Sequence, residues 1–353
     1  MIAISVANQA RIKTEPLKTS LKTFIKALFP WLVASGLFFY LFNKFPPRQV
    51  LASLQHVSLP WFLGFGLAYF LTILLLDNWV LSRVLSRFAA PVSFRELLPA
   101  RCVSYLLALV NYNAGQAGMA VYLKRTRGLS FFKTLGCIFF VTVVDLYWVI
   151  AMAFAGSFLM DIHLQGFQLQ DWVRRVAGIA LIAFVLHLAF WRGWFGKIVP
   201  AKLHFGVGDW LRGKHLFQPF HHATVADYFK IALARFPIHA AIVSSLWFLI
   251  RFAGGTVSFR DVVATVPIVL LVGTIPLTPG GLGATQLALV ELLKDHVVPP
   301  PAAHGSVGAA ELLLAISLAW MILNYLLKAI AGLIFLRGGS RELFKEAPDA
   351  APH

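Results

Sequence analysis

The sequence predicts an all-α polytopic membrane protein, and three observations carry that class. Of its 353 residues, 59% are apolar and only 13% charged, with a mean hydropathy of +0.75; a soluble domain carries about a quarter charged residues. Apolar runs near twenty residues long recur along the chain, each sufficient to cross the hydrocarbon core as a helix. The runs are continuously apolar rather than alternating, which disfavours a β-barrel. In such a protein a net charge of +16 marks cytoplasmic loops and contacts with anionic lipid, so no nucleic-acid partner is expected. Cys102 and Cys137 lie in or beside apolar runs and imply neither a disulfide framework nor a metal cluster.

In chain order, residues 1–24 form a polar, basic lead-in without a cleavage-site pattern, read as cytoplasmic. A single transmembrane unit is expected over 25–336, with a first half at about 61–191, a cytoplasmic loop at about 192–230 and a second half at about 231–336. Its continuous runs are 28–42, 61–81, 131–160, 173–191, 231–250 and 311–336. Two further runs are interrupted. The first, 102–123, contains Asn111, Asn113, Gly115, Gln116 and Gly118; the second, 262–290, is broken over 276–283. Residues 337–353 read as a cytoplasmic tail.

Lys and Arg residues set the sides of the membrane. The N-terminal segment carries Arg11, Lys13, Lys18, Lys22 and Lys26 and is placed inside. Arg83, Arg87, Arg95 and Arg101 precede the first interrupted run, and Lys124, Arg125, Arg127 and Lys133 follow it, so both of its flanks read as cytoplasmic. The simplest solution is a hairpin that dips into the membrane, turns near Gly115 and leaves on the same side. A second hairpin, entering from outside over 262–290, keeps the remaining loops consistent and delivers Arg337, Arg341 and Lys345 to the cytoplasm. The expectation is therefore six full spans plus two re-entrant hairpins, with both termini cytoplasmic, in a bacterial-type inner membrane. Eight full spans is the rival, and it leaves a basic cluster outside.

The interruptions resemble one another. Asn113-Ala114-Gly115-Gln116-Ala117-Gly118 and Thr278-Pro279-Gly280-Gly281-Leu282-Gly283 stand 165 positions apart. Each has a small polar residue, Ala or Pro, and then Gly-x-x-Gly. Inverted repeats of broken helices meet around the substrate in many transporters, because non-helical backbone cannot face lipid. A lone Gly-x-x-Gly is equally a helix-packing motif.

These residues, with Tyr122-Leu123-Lys124-Arg125, Gly128-Leu129-Ser130 and then Asp145, resemble the first signature of the lysylphosphatidylglycerol synthase transmembrane family. The Thr278 to Gly283 stretch resembles its second, and the likeness covers roughly residues 30–336. It implies a flippase-like fold with two re-entrant hairpins; some members carry a soluble aminoacyl-transferase domain, and others stand alone and are associated with lipid-linked sugars or hopanoids. About 17 residues follow Leu336, too few for such a domain, so a stand-alone member is expected. The family commonly has Pro where Ala114 stands, an acid where Met119 and Ala120 stand, and Glu where Gln286 stands. An altered or uncharged substrate group, or a drifted activity, would fit those departures.

Ionisable residues at membrane depth cost about 2.5–3.5 kcal/mol each on insertion scales and call for a partner or a purpose. Arg101 and Asp145 are expected beside the first hairpin, lining a path for a headgroup; Asp77 or Asp145 locking helices through a basic partner is the structural alternative. At the tips, Asn111, Asn113, Gly115, Gln116 and Gly118 on one side, and Thr278, Pro279, Gly280, Gly281, Gly283 and Gln286 on the other, form the candidate substrate site. Glycines there let a phosphate approach the backbone, and a broken helix presents its positive end to an anion. The histidines read as packed residues, Lys328 as snorkelling from the last span, and Trp61, Trp172, Trp191 and Trp194 as interfacial belt residues. The sequence therefore points to a flippase or lipid transporter acting on membrane lipids, an anionic phospholipid or lipid-linked substrate, with no catalytic residue, metal or cofactor. A partner subunit of a lipid-biosynthesis system and a membrane enzyme acting on a lipid-linked substrate are the alternatives.

Overall fold

The computed structural model describes residues 21–109, 111–159, 163–164, 167–194, 207–275, 278–301 and 308–343. Helix α1 (Leu21–Lys44) turns sharply into α2 (Pro47–Ala52), a bend of 80°, as expected where Pro46 and Pro47 remove two backbone donors. Then follow α3 (Leu59–Phe88), α4 (Phe94–Ala108), α5 (Tyr112–Arg127), α6 (Phe131–Gly156) and α7 (Leu169–Trp191). Two short helices, α8 (Val207–Arg212) and α9 (Gln218–His222), lead to α10 (Val225–Phe252), α11 (Phe259–Thr274), α12 (Ala284–Leu293) and α13 (Ala309–Leu343). Five of the described helices are long and apolar enough to cross a membrane, six when the bent pair is counted as one span. Strand pairing among the described residues is confined to His163–Leu164 with Phe167–Gln168, and one bridge between Thr256 and Val298.

The apolar faces divide as a bilayer requires. On α3, Leu63, Leu67, Leu71 and Leu75 form an exposed stripe at helical spacing. Phe62, Gly66, Phe70, Leu74 and Asp77 on the same helix turn inward. Trp61, Trp172 and Trp194 are exposed, but Trp191 is 8% exposed and stacks on Phe220 with ring centroids 5.6 Å apart. It belongs to an interior aromatic cluster, not to the interfacial belt, because the segment Lys214–His222 folds back over it. The second half also starts earlier than 231. Thr224 and Asp227 form a capping box that begins α10 at Val225, so polar residues there extend a helix instead of a loop.

Both interrupted runs are antiparallel helix pairs. In the first, α4 starts on a Ser93–Glu96 capping box, and α5 lies back against it. The Ser93 backbone N–H and hydroxyl hold the Glu96 carboxyl below the usual carboxylate range. Arg127 at the end of α5 pairs with Glu96 at 2.9 Å, closing the open end. The chain reverses between Ala108 and Tyr112, not near Gly115. Asn111 terminates the reversal by accepting from the Ala114 N–H at 3.1 Å, and so caps α5. Gly115 instead lies inside α5, where a Cβ would stand 2.7 Å from the Ser104 carbonyl oxygen; its role is close helix packing. In the second pair, α11 and α12 meet at Gly273 and Thr285. The Thr256–Val298 bridge and an Asp261–His296 contact of 3.7 Å hold their open ends.

The packing of the long helices is duplicated. Helices α3, α4, α5 and α6 correspond in order and length class to α10, α11, α12 and α13. Helix α4 packs on α13 while α11 packs on α6, so each hairpin leans on the last long helix of the other set; α3 and α10 pack on each other. That central pair runs antiparallel. Phe65 near the start of α3 meets Phe252 near the end of α10 at 5.4 Å, and Arg87 near the end of α3 meets Asp227 near the start of α10 at 3.7 Å. The sequence carries a second trace of this duplication: Val92-Ser93-Phe94-Arg95-Glu96 and Val257-Ser258-Phe259-Arg260-Asp261 share the offset of 165 that separates the glycine motifs.

Candidate functional site

A buried ionic cluster sits where α3, α4, α6 and α10 converge. Asp77 comes from α3, Arg101 and Tyr105 from α4, Asp145 from α6, and Arg235 and His239 from α10. The last two stand one helical turn apart and so share a face. Arg235 forks onto Asp145, its Nε donating to Oδ1 at 2.7 Å and its Nη2 to Oδ2 at 2.5 Å. Its Nη1 donates to Asp77, which also takes Arg101. The Tyr105 hydroxyl donates to Asp77 at 3.4 Å, and His239 Nε2 lies 3.1 Å from Asp145. Such a fork-to-carboxylate geometry is the one that repays desolvation best. Among the described residues, Arg101 Nε, His239 Nδ1 and Gln116 Oε1 are buried without a partner. A cavity of about 50 Å³ opens beside the cluster, lined by Asp77, Arg101, Tyr112, Gln116, Asp145 and Arg235.

A second cavity, of about 260 Å³, lies at the tip of the other hairpin, among Tyr69, Ser245, Gly280, Thr285, Gln286 and Tyr325. The chain reverses here through Gly280, Gly281 and Gly283 with φ of 60°, 76° and 81°, a left-handed run that only glycine adopts cheaply. Gln286 Oε1 accepts from the Gly283 N–H at 2.7 Å and from the Thr285 hydroxyl at 3.2 Å. Gln286 thereby stabilises the broken backbone, while its Nε2 reaches Met321 Sδ at 3.8 Å. The Thr278 hydroxyl is buried and has no partner among the described residues.

Helix α13 lines the second cavity through Tyr325 and approaches the ionic cluster through Lys328. A Cβ on Gly280 would stand 3.2 Å from the Tyr325 hydroxyl. One turn on, Lys328 Nζ lies 5.9 Å from the Tyr325 ring centroid and 5.6 Å from that of Tyr105, whose hydroxyl meets Asp77. Tyr325, Lys328 and Tyr105 thus stand in succession between one hairpin tip and the ionic cluster, a spaced row of polar side chains.

Of the residues expected from sequence, Arg101, Gln116 and Asp145 meet at the first cavity, and Gly280 and Gln286 at the second. Asn111 and Asn113 are exposed at the first tip and line neither cavity, although Tyr112 between them lines the first. Gly115 and Gly118 face Ala108 and Leu107 of α4, and Gly281 and Gly283 face Gly273 and Leu37; all four serve close packing. Pro279 opens the turn Pro279–Gly281. Arg101 and Asp145 are both held in ion pairs, the arrangement of the structural alternative. Sequence reasoning noted Arg235 without giving it a place in the site, read His239 with the other histidines as a packed residue and Lys328 as snorkelling, and did not single out Tyr325. Their signal was present as ionisable or phenolic groups within apolar runs, but their partners lie up to 158 positions away. No cluster of His, Cys, Asp and Glu suited to a metal occurs among the described residues.

The fold is that of a multi-pass, all-helical membrane protein with two broken-helix hairpins. The model of the lysylphosphatidylglycerol synthase TM region matches residues 28–332, and the chain belongs to that family. No match was found among curated proteins or solved structures.

Proposed function

We propose that this protein is a lipid transporter that passes a headgroup between leaflets along the polar line joining the two hairpin tips, without carrying out a chemical transformation. The single observation behind this reading is that the left-handed break at Gly280–Gly283 and the ionic cluster converge on one face of α13 through Tyr325 and Lys328. Broken backbone at membrane depth is tolerated where it lines a polar path, and acyl tails can stay in the bilayer while only the headgroup enters. The antiparallel α3–α10 pair and the exchanged hairpins support an inverted repeat. On this reading α4–α5 is re-entrant from the cytoplasm and α11–α12 from outside. The basic clusters at 83–101 and 124–133 favour an inner-membrane orientation with both termini cytoplasmic.

The test is reconstitution of the purified chain in liposomes containing headgroup-labelled lipids, with exchange scored by an impermeant quencher. Accelerated exchange, reduced at least tenfold by Gln286→Ala and by Tyr325→Phe in protein that still elutes as one species, is the expected result. Exchange no faster than in empty liposomes across anionic, zwitterionic and polyprenyl-phosphate lipids would reject transport. It would favour a partner subunit held together by the same ion network.

A further inference from the structure

The charges around the polar line do not cancel. Asp77 and Asp145 are matched by Arg101 and Arg235, each carboxylate satisfied by at least one guanidinium. Lys328 is the surplus. It is part-buried on α13, and its ammonium lies against the rings of Tyr105 and Tyr325 with no carboxylate paired to it among the described residues. The Arg101 guanidinium lies 5.3 Å from the centroid of the same Tyr105 ring, a second cation beside it. Snorkelling along lipid does not account for this placement. Four positions further on, Gly332 meets the Cys102 carbonyl, where a Cβ would stand 3.0 Å away, so this face of α13 is pressed against α4 and not against lipid. An ammonium at membrane depth with an arginine sharing its aromatic neighbour, and softened only by aromatic faces, awaits an anion.

We propose that Lys328 is a substrate-recognition residue and that the transported lipid carries a net negative phosphate headgroup. The phosphate pairs with the Lys328 ammonium, and the Tyr325 hydroxyl stands beside it at the Gly280 turn. A zwitterionic headgroup would bring its own cation next to Lys328 and Arg101 and be repelled. Gln286, neutral and engaged with the Gly283 backbone, adds no negative charge at that tip. This proposal rests on the transporter reading for the lipid's route and on local charge for its identity.

Lipid retention by the full chain in nanodiscs of mixed phosphatidylglycerol, phosphatidylethanolamine and phosphatidylcholine, read by native mass spectrometry, tests it without requiring transport. Wild type is expected to retain phosphatidylglycerol at least tenfold over phosphatidylethanolamine. Lys328→Gln should reduce that ratio below twofold at an unchanged thermal midpoint, and Lys328→Arg should preserve it. Millimolar inorganic phosphate should leave the ratio intact; stripping of the lipid by phosphate would assign the site to a free anion and overturn the lipid assignment. No preference in wild type, or a full preference in Lys328→Gln, overturns the proposal outright. If Lys328→Gln does not assemble, the wild-type ratio and Lys328→Arg decide. A tenfold preference without scrambling sinks transport and leaves the recognition role standing. Equal scrambling of both lipids, insensitive to Lys328→Gln, does the reverse.

Discussion

Arg235 is the position at which the ionic cluster can be tested most sharply. Replacing it with Ala removes two bonds to Asp145, at 2.7 and 2.5 Å, and one to Asp77. The two acids do not suffer equally. Asp77 keeps Arg101 and the Tyr105 hydroxyl, whereas Asp145 keeps only His239 at 3.1 Å. The Arg235 and Asp77 side chains are under 10% exposed and that of Asp145 is 23% exposed, so solvent replaces the lost partner only in part. Breaking a buried pair from one side costs about 3–5 kcal/mol, and here the cost falls mainly on an uncompensated Asp145. Arg235→Lys keeps the charge but cannot fork onto one carboxylate while reaching a second, so an intermediate loss is expected. Asp145→Asn placed on Arg235→Ala removes the stranded charge and should recover part of the deficit, giving a coupling of about 1–3 kcal/mol. Unfolding in mixed micelles by denaturant titration reads the wild type, Arg235→Ala, Arg235→Lys, Asp145→Asn alone and the double variant. A loss below about 1 kcal/mol for Arg235→Ala, or strict additivity in the double variant, would refute the network as drawn.

Other expectations follow from close packing and membrane placement. Gly115→Ala places a methyl 2.7 Å from the Ser104 carbonyl oxygen and is expected to cost about 1–3 kcal/mol, while Gly118→Ala meets only the flexible end of Leu107 and should cost less; thermal midpoints of the two purified variants decide. Gln286→Ala leaves the Gly283 N–H without its 2.7 Å acceptor, a loss of about 1–3 kcal/mol measurable by the same unfolding titration. For topology, Ser130→Cys should be blocked by an impermeant maleimide only from the cytoplasmic side and Thr256→Cys only from outside. The native Cys102 and Cys137 are buried and give little background; labelling of both variants from one side would reject the inverted arrangement.

Much of this architecture could be read from sequence because its signals are local. Five of the spans and the bent pair follow from run length, and both chain breaks from clusters of Gly, Asn and Pro. The site was less legible because its chemistry is paired at long range. Asp145 and Arg235 lie 90 positions apart, each an isolated charge in an apolar run, and nothing local says that they meet. The turn was misplaced to Gly115 because glycine serves both reversal and close contact, and the neighbour that distinguishes them, Ser104, lies on another helix. The Val92 and Val257 repeats escaped notice for a different reason. They stand in the capping turns outside the apolar runs, where a search for spans does not look.

The exchange of hairpins between the two halves has a consequence in time. During synthesis, Asp145 reaches the membrane 90 residues ahead of Arg235; at about 5–20 residues per second this is an interval of roughly 5–18 s. Throughout it the first half holds a carboxylate in apolar surroundings without its guanidinium, and a hairpin whose supporting helix α13 does not yet exist. Insertion and folding are therefore decoupled for this chain. The early helices must wait, sheltered by the insertion machinery or by each other, until the second half arrives to neutralise them, and a truncation that removes α10 would leave a first half suited to quality-control degradation rather than a working half-transporter.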